Sequence, residues 1–229
     1  MKKLLEIAVS KNTIPIVKRI MSANDQIAEE NQELLSKKKI LTVNVMASPG
    51  AGKTSLILRT IENISTQYKI AVIEGDTAPV TIDSDKISSL NIPVVQINTG
   101  GECHLDALMV RNGIEQLDLS NTDLLIIENV GNLVCPAAFR LGEHFSVVIA
   151  SIPEGDDKPY KYPNIYRAIQ SLILNKTDLL PYVDFNIDYF KKGIKALNPG
   201  VAFFSLSCKT GDGFDKWTNW LKTKIHEMK

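Results

Sequence analysis

From residue 40 onward, short apolar and often β-branched runs alternate with stretches whose apolar residues recur every three or four positions. The runs are Ile40–Met46, Ala71–Ile73, Val94–Ile97, Leu124–Ile127, Val147–Ile152, Leu172–Leu174 and Val201–Leu206. Helical spacing separates most of them, as over Ser55–Ile64 and Leu105–Leu117. A last helix runs from Asp215 to about His226, with Trp217, Trp220, Leu221 and Ile225 on one face, where the tryptophans read as packing residues. A strand that is apolar at every position must be covered on both faces. Strand–helix alternation supplies that cover when the strands run parallel. The expectation is an α/β domain: a mostly parallel seven-stranded sheet with helices on both faces.

Residues 1–38 differ from this pattern. They contain no glycine, and Pro15 is their only proline. From Ile16 the apolar positions Ile16, Val17, Ile20, Ala23, Ile27 and Leu34 fall at helical spacing. Asn24 and Asn31 interrupt that stripe seven residues apart. Lys37-Lys38-Lys39 suits the negative end of a helix. The chain therefore divides into an N-terminal helical arm (1–38) and a nucleotide-binding domain (39–229). The arm is expected to pack on the domain surface; the alternative is an arm that contacts a partner, with asparagine setting register.

Composition narrows the function classes. With 44% hydrophobic and 23% charged residues among 229, the chain can bury a full core. Lys+Arg and Asp+Glu are both 26, a balance that argues against nucleic acid as a partner. No apolar run is long enough to span a membrane, and Glu6 breaks the apolar stretch that opens the chain, so no signal peptide is expected. Three widely spaced cysteines, Cys103, Cys135 and Cys208, are too few for a disulfide framework. They suggest a reducing, cytoplasmic setting.

The first run leads into Ala47-Ser48-Pro49-Gly50-Ala51-Gly52-Lys53-Thr54-Ser55, which fits the phosphate-binding loop G-x-x-x-x-G-K-[ST] except that Ala47 replaces the first glycine. Gly50 and Gly52 allow the backbone to curl its N–H groups inward around phosphate oxygens, and the following helix adds its positive end. Lys53 would reach the β- and γ-phosphates and Thr54 would ligate Mg²⁺. Ala47 raises the question of loop geometry, since its methyl requires negative φ. Asn175-Lys176-Thr177-Asp178 then matches N-K-x-D, in which the carboxylate accepts hydrogen bonds from guanine N1 and N2. Adenine offers no such donor pair. Ser207-Cys208-Lys209 resembles the S-A-K loop that supports guanine, so Cys208 reads as a small half-buried loop residue. Asp76 ends a strand beside the phosphate loop, where a carboxylate can hold Mg²⁺; a turn cap is the bland alternative. Glu128-Asn129-Val130-Gly131 resembles D-x-x-G, with Glu128 a further Mg²⁺ candidate and the Gly131 N–H a γ-phosphate donor. The catalytic set expected is Lys53, Thr54 and Asp76. No glutamine or arginine finger stands out, so intrinsic hydrolysis should be slow.

Cys103 and His104 are adjacent near a helix start, and Cys135 lies seven residues beyond Glu128. Thiolate and imidazole suit Ni²⁺, Zn²⁺ or Cu. Spacing alone leaves two readings of equal weight: a metal site, or two unrelated cysteines and a capping histidine. Three ligands would leave the site incomplete, to be closed by water or by a second copy of the chain. His144 and His226 read as surface or packing residues.

Taken together these segments resemble the HypB family of dimerising P-loop GTPases of the SIMIBI class, over nearly the whole chain. The resemblance is carried by Ala23–Asn31, the phosphate loop, Glu74-Gly75-Asp76, Gly101–Ala107, Glu128–Pro136 and Asn175–Asp178. It implies a GTP/GDP-binding, Mg²⁺-dependent switch serving nickel delivery in [NiFe]-hydrogenase maturation. It implies Ni²⁺ (or Zn²⁺) on Cys103, His104 and Cys135, beside a nucleotide- and metal-dependent homodimer interface. The partners implied are a nickel chaperone and the hydrogenase large subunit. With no cysteine before Cys103 and three histidines in all, a high-affinity N-terminal nickel motif and a storage role are not expected. The rival readings are a urease-type nickel GTPase of the UreG kind, a metal-binding module with little NTPase activity, and a small-molecule kinase. The Glu-Cys-His and Val-Cys-Pro elements favour HypB over UreG, and N-K-x-D serves no purpose in binding ATP.

Overall fold

The computed structural model describes residues 16–77 and 82–229. Seven strands, β1 (Leu41–Ala47), β2 (Ile70–Asp76), β3 (Val94–Asn98), β4 (Leu124–Glu128), β5 (Phe145–Ser151), β6 (Ser171–Asn175) and β7 (Ala202–Ser205), form one sheet in the order β3-β2-β4-β1-β5-β6-β7. Every pairing is parallel. The central strands β1, β4, β5 and β6 are buried at every position, which is why they read as continuous apolar runs.

Helices cover both faces. Helix α1 spans Ile16–Lys37, α2 Lys53–Ile64, α3 Ile82–Ser88, α4 Ala107–Gln116, α5 Lys158–Lys161, α6 Pro163–Arg167, α7 Ile187–Leu197 and α8 Phe214–Met228. Leu56, Ile57 and Ile61 of α2 and Trp217, Leu221 and Ile225 of α8 pack with Val43, Val45 and Ile126 on one face. On the other, Leu35, Val110 and Ile114 pack on Ala71, Ile73 and Ile127, while Tyr166 and Phe190 pack on Val148 and Leu172. Trp217 is buried and donates its indole N–H to Thr60 Oγ1 at 3.0 Å, as suits a core tryptophan.

Two local readings change. Ala47 is the last, fully buried residue of β1 and takes no left-handed conformation; Gly50 (φ 75°) and Gly52 (φ 106°) carry the turn, so the missing first glycine costs nothing. The face of α1 is also rotated from the expected stripe. Ala23 is exposed and Ile27 and Leu34 are half-buried, while Asn24, Ala28, Asn31 and Leu35 point inward. The side chains of Ile16, Val17 and Ile20, and all of residues 1–15, lie outside the described set. Helix α1 packs on α4 and on the 140–144 loop, and Gly142 permits that contact: a Cβ there would fall 2.4 Å from Asn31 Cβ and 2.9 Å from the Ala28 carbonyl oxygen.

Candidate nucleotide and metal sites

The C-terminal strand ends lie along one edge of the sheet, where ligands collect in open α/β folds. The phosphate loop joins β1 to α2 there. Lys53 Nζ lies 4.0 Å from Glu128 Oε1, and the Thr54 hydroxyl donates to the same oxygen at 2.9 Å. Glu128 is buried at the end of β4 and is register partner to the equally buried Glu74 on β2. Asp76 is half-buried at the end of β2, with the Thr77 hydroxyl 3.4 Å from its Oδ1. A hydroxyl and carboxylates gathered at strand ends are the hard oxygen donors that Mg²⁺ prefers, so the donor set fits that ion. Gly131 packs against the phosphate loop, where a Cβ would lie 3.1 Å from both Pro49 N and Pro49 Cγ.

A cavity of about 360 Å³ opens beside this loop, lined by Gly52, Ser55, Lys176, Asp178, Cys208 and Lys209 among others. That volume falls at the low end of the usual small-ligand range of about 300–1,000 Å³. The Ser207 hydroxyl donates to Asp178 Oδ1 at 2.6 Å and accepts from Lys209 N and Thr210 N, fixing the carboxylate to the second loop. Asn175 is a brace: its Oδ1 accepts from Lys176 N at 2.7 Å and Cys208 N at 3.1 Å, and its Nδ2 donates to the Ala51 carbonyl at 3.0 Å. Lys176, in the left-handed region at φ 60°, donates from Nζ to the Gly50 carbonyl at 2.6 Å. Burial pushes the Cys208 thiol up to about 11, an inert packing residue as the sequence suggested.

Arg59 is one of the residues the motifs did not reveal. Its guanidinium donates from Nη1 to the Cys208 carbonyl at 3.0 Å and lies 5.8 Å from the Phe214 ring centroid. Gly211 leaves it room, since a Cβ there would come within 2.3 Å of Nη2.

Cys103, His104 and Cys135 do converge. Their ligand atoms all lie within 4.8 Å of one another, and all three residues are half-buried. Sγ of Cys103 is 2.7 Å from Sγ of Cys135 and 3.8 Å from His104 Nδ1, with all three cysteines of the chain free. The Cys103 thiol is raised above its ordinary value, first by its hydrogen bond to Cys135 and then by burial. The His104 ring packs on Phe139 at 4.0 Å between centroids, which limits its rotation. Two thiols and an imidazole make a soft donor set suited to Ni²⁺ or Zn²⁺.

The two sites share a strand end. Asn129, fully buried after Glu128, accepts from Leu105 N at 3.1 Å and Val130 N at 2.9 Å and donates to Asn44 Oδ1 at 3.2 Å. Asn132 donates to the Cys103 carbonyl at 3.2 Å. Asn129 and Asn132 lie within the Glu128–Pro136 segment that carries the resemblance, though the sequence assigned them no role; for Phe139 there was no signal.

The nucleotide-binding domain of the CobW/HypB/UreG family matches residues 41–205. The hydrogenase maturation factor HypB of Escherichia coli K12 is 41% identical over 205 residues, covering 90% of this chain and 70% of that one. The probable HypB of Methanocaldococcus jannaschii is 40% identical over 216 residues, covering 94% and 97%. Among solved structures, HypB from Archaeoglobus fulgidus superposes with a TM-score of 0.83 at 39% identity, covering 89% and 99%. HypB from Helicobacter pylori in complex with nickel gives 0.85 at 35% identity, covering 90% and 96%. With this match across the strands, the phosphate loop and the cysteine-bearing segments, the chain belongs to the HypB branch of the CobW/HypB/UreG family.

Proposed function

We propose that the chain is a Mg²⁺-dependent GTPase acting as a metallochaperone switch, delivering nickel for [NiFe]-hydrogenase maturation. The observation that carries the reading is the sharing of one strand end. Glu128 accepts from Thr54 at the phosphate loop, while the segment that continues from it through Gly131 supplies Cys135 to the thiol–imidazole cluster. The nickel complex of the Helicobacter pylori relative supports nickel as cargo.

In this reading Lys53 and the N–H groups of Gly50–Ser55 bind the phosphates. Thr54 and Asp76, with Glu128, would hold Mg²⁺, which when bound offsets charge on the β- and γ-phosphate oxygens. Asp178 reads the guanine edge, held in place by Ser207, while Asn175 ties the base loops to the phosphate loop. Lys176 and the Cys208–Lys209 backbone line the base cavity. The Gly131 N–H senses the γ-phosphate, and Cys103, His104 and Cys135 hold the nickel. The remaining coordination positions are filled by water or by a second copy of the chain, and a nucleotide- and metal-dependent homodimer follows from the latter. Residues 1–38 are assigned to the arm of this GTPase domain, of which Ile16–Lys37 is helix α1, and a nickel chaperone and the hydrogenase large subunit are the donor and acceptor.

The test is turnover and nickel binding on one preparation. GTP should be hydrolysed in strong preference to ATP. Lys53→Ala should abolish turnover and leave nickel binding in the nucleotide-free protein intact. Equal turnover of ATP and GTP would overturn the guanine assignment, and no nickel binding by the wild-type chain would overturn the metallochaperone reading.

A further inference from the structure

The two asparagines of α1 have no part in the function proposed so far, yet both are buried and hydrogen-bonded through oxygen and nitrogen alike. Asn24 donates from Nδ2 to the Arg140 carbonyl at 2.9 Å and accepts from Ala107 N at 2.9 Å. Asn31, two helical turns on, donates from Nδ2 to the Leu141 carbonyl and to the Ala107 carbonyl, each at 2.9 Å. Its Oδ1 accepts from Arg111 Nε. Each asparagine therefore bonds the same two segments. One begins α4 three residues after His104, and the other follows the short helix that Cys135 opens. Both backbone groups of Ala107 are taken, its N–H by Asn24 and its C=O by Asn31. Outside α1 these segments are also tied by the ligand cluster itself, the ring contact of His104 with Phe139, the bonds from Asn132 to the Cys103 carbonyl and from Leu105 N to Asn129, and the shared apolar cluster of Leu105 and Leu141.

We infer that Asn24 and Asn31 are positioning residues for the metal cluster: α1 is a clamp that sets the separation of the segment bearing Cys103 and His104 from the segment bearing Cys135. The inference rests on the reading of that cluster as a metal site. The choice of asparagine follows from the task. Each side chain must accept and donate at once to groups on two different segments, and a carboxamide does so from two separate atoms, with two N–H donors beside its carbonyl oxygen. A seven-residue spacing puts the two amides on one helix face, about 10 Å apart along the axis, so they fix orientation as well as distance. Residues that orient ligands from behind typically change metal affinity by about 10- to 100-fold when lost.

The experiment is Ni²⁺ titration of the nucleotide-free full chain, followed by the thiolate-to-nickel charge-transfer absorption, for wild type, Asn24→Ala and Asn31→Ala. GTP affinity and thermal midpoint are recorded alongside. The expected result is nickel affinity lower by about 10- to 100-fold in each folded variant, with a shifted charge-transfer band and a smaller change in GTP affinity. Asn24→Asp keeps the acceptor for Ala107 N but loses the donor to Arg140. It should fall between wild type and Asn24→Ala, and it serves as the deciding variant if the alanine forms do not fold. Folded variants with a lowered thermal midpoint but wild-type nickel affinity and an unshifted band would overturn the inference and leave the asparagines as plain packing. A wild-type chain that binds no nickel would instead overturn the metal reading itself.

Discussion

At the scale of single residues, the proposed base cavity depends on one charged hydrogen-bonding edge. Ser207 holds one oxygen of Asp178 at 2.6 Å, so the carboxylate is fixed before a base arrives. Asp178→Asn turns an acceptor pair into an acceptor and a donor. Hydrogen bonds to charged groups contribute about 1.5–3 kcal/mol each, so the affinity for GTP should fall by roughly tenfold or more. Xanthosine triphosphate, which presents an oxygen where guanine has its amino group, should become the better substrate. Competition between the two nucleotides measures this directly, and unchanged preference for GTP in the variant would show that Asp178 does not read the base. This contact was legible in the sequence because it is spelled by a contiguous motif followed by Ser207-Cys208-Lys209. Arg59 was not, because its partner, the Cys208 carbonyl, lies 149 residues away and carries no side-chain signal.

At the scale of elements, the seven strands and their parallel direction were recoverable for a simple reason, whereas their order in the sheet was not. A strand buried on both faces is apolar at most successive positions, and β1, β4, β5 and β6 are buried at every residue, with polar exceptions such as Asn44 and Glu128. The orientation of α1 was not recoverable, since apolar periodicity pointed to Ala23 and Ile27 while the inward face is built on Asn24 and Asn31. Buried amides bonded to groups distant in the chain look, in sequence, like breaks in a stripe. Helix α1 also meets β1 through His144. The Thr42 N–H donates to His144 Nδ1 at 2.9 Å, which requires that nitrogen to be unprotonated, and Nε2 is 2.9 Å from the Ser36 hydroxyl. Burial lowers the His144 pKa below its ordinary value. A histidine whose folded pKa is depressed contributes stability above its unfolded pKa of about 6.5 and loses it as pH falls toward the folded value. Stability should therefore drop as pH falls below about 6.5, and His144→Gln should flatten that drop. Denaturant midpoints at several pH values check it; a wild-type profile with the same slope as the variant would remove His144 from the account of α1 docking.

At the scale of the whole molecule, the proposed switch joins two chemistries through a short stretch of chain. Gly131 packs on Pro49 of the phosphate loop, and Cys135 lies four residues later, a span of at most about 14 Å when extended. Asn129 bonds the same strand end to Leu105, next to His104. A displacement at Gly131 on gaining or losing a γ-phosphate thus bears on both halves of the thiol–imidazole cluster, and such segments reorder in switch proteins. Linkage then requires nucleotide affinity to depend on nickel by the same factor that nickel affinity depends on nucleotide, typically about five- to 150-fold. The most direct measurement is nickel titration of the GDP-bound and GTP-analogue-bound forms at one pH. The coupling proposal predicts different affinities in the two states, a difference abolished by Cys135→Ser and retained by Cys208→Ser. Identical affinities in both states would contradict it and make the cluster a static site beside an independent GTPase.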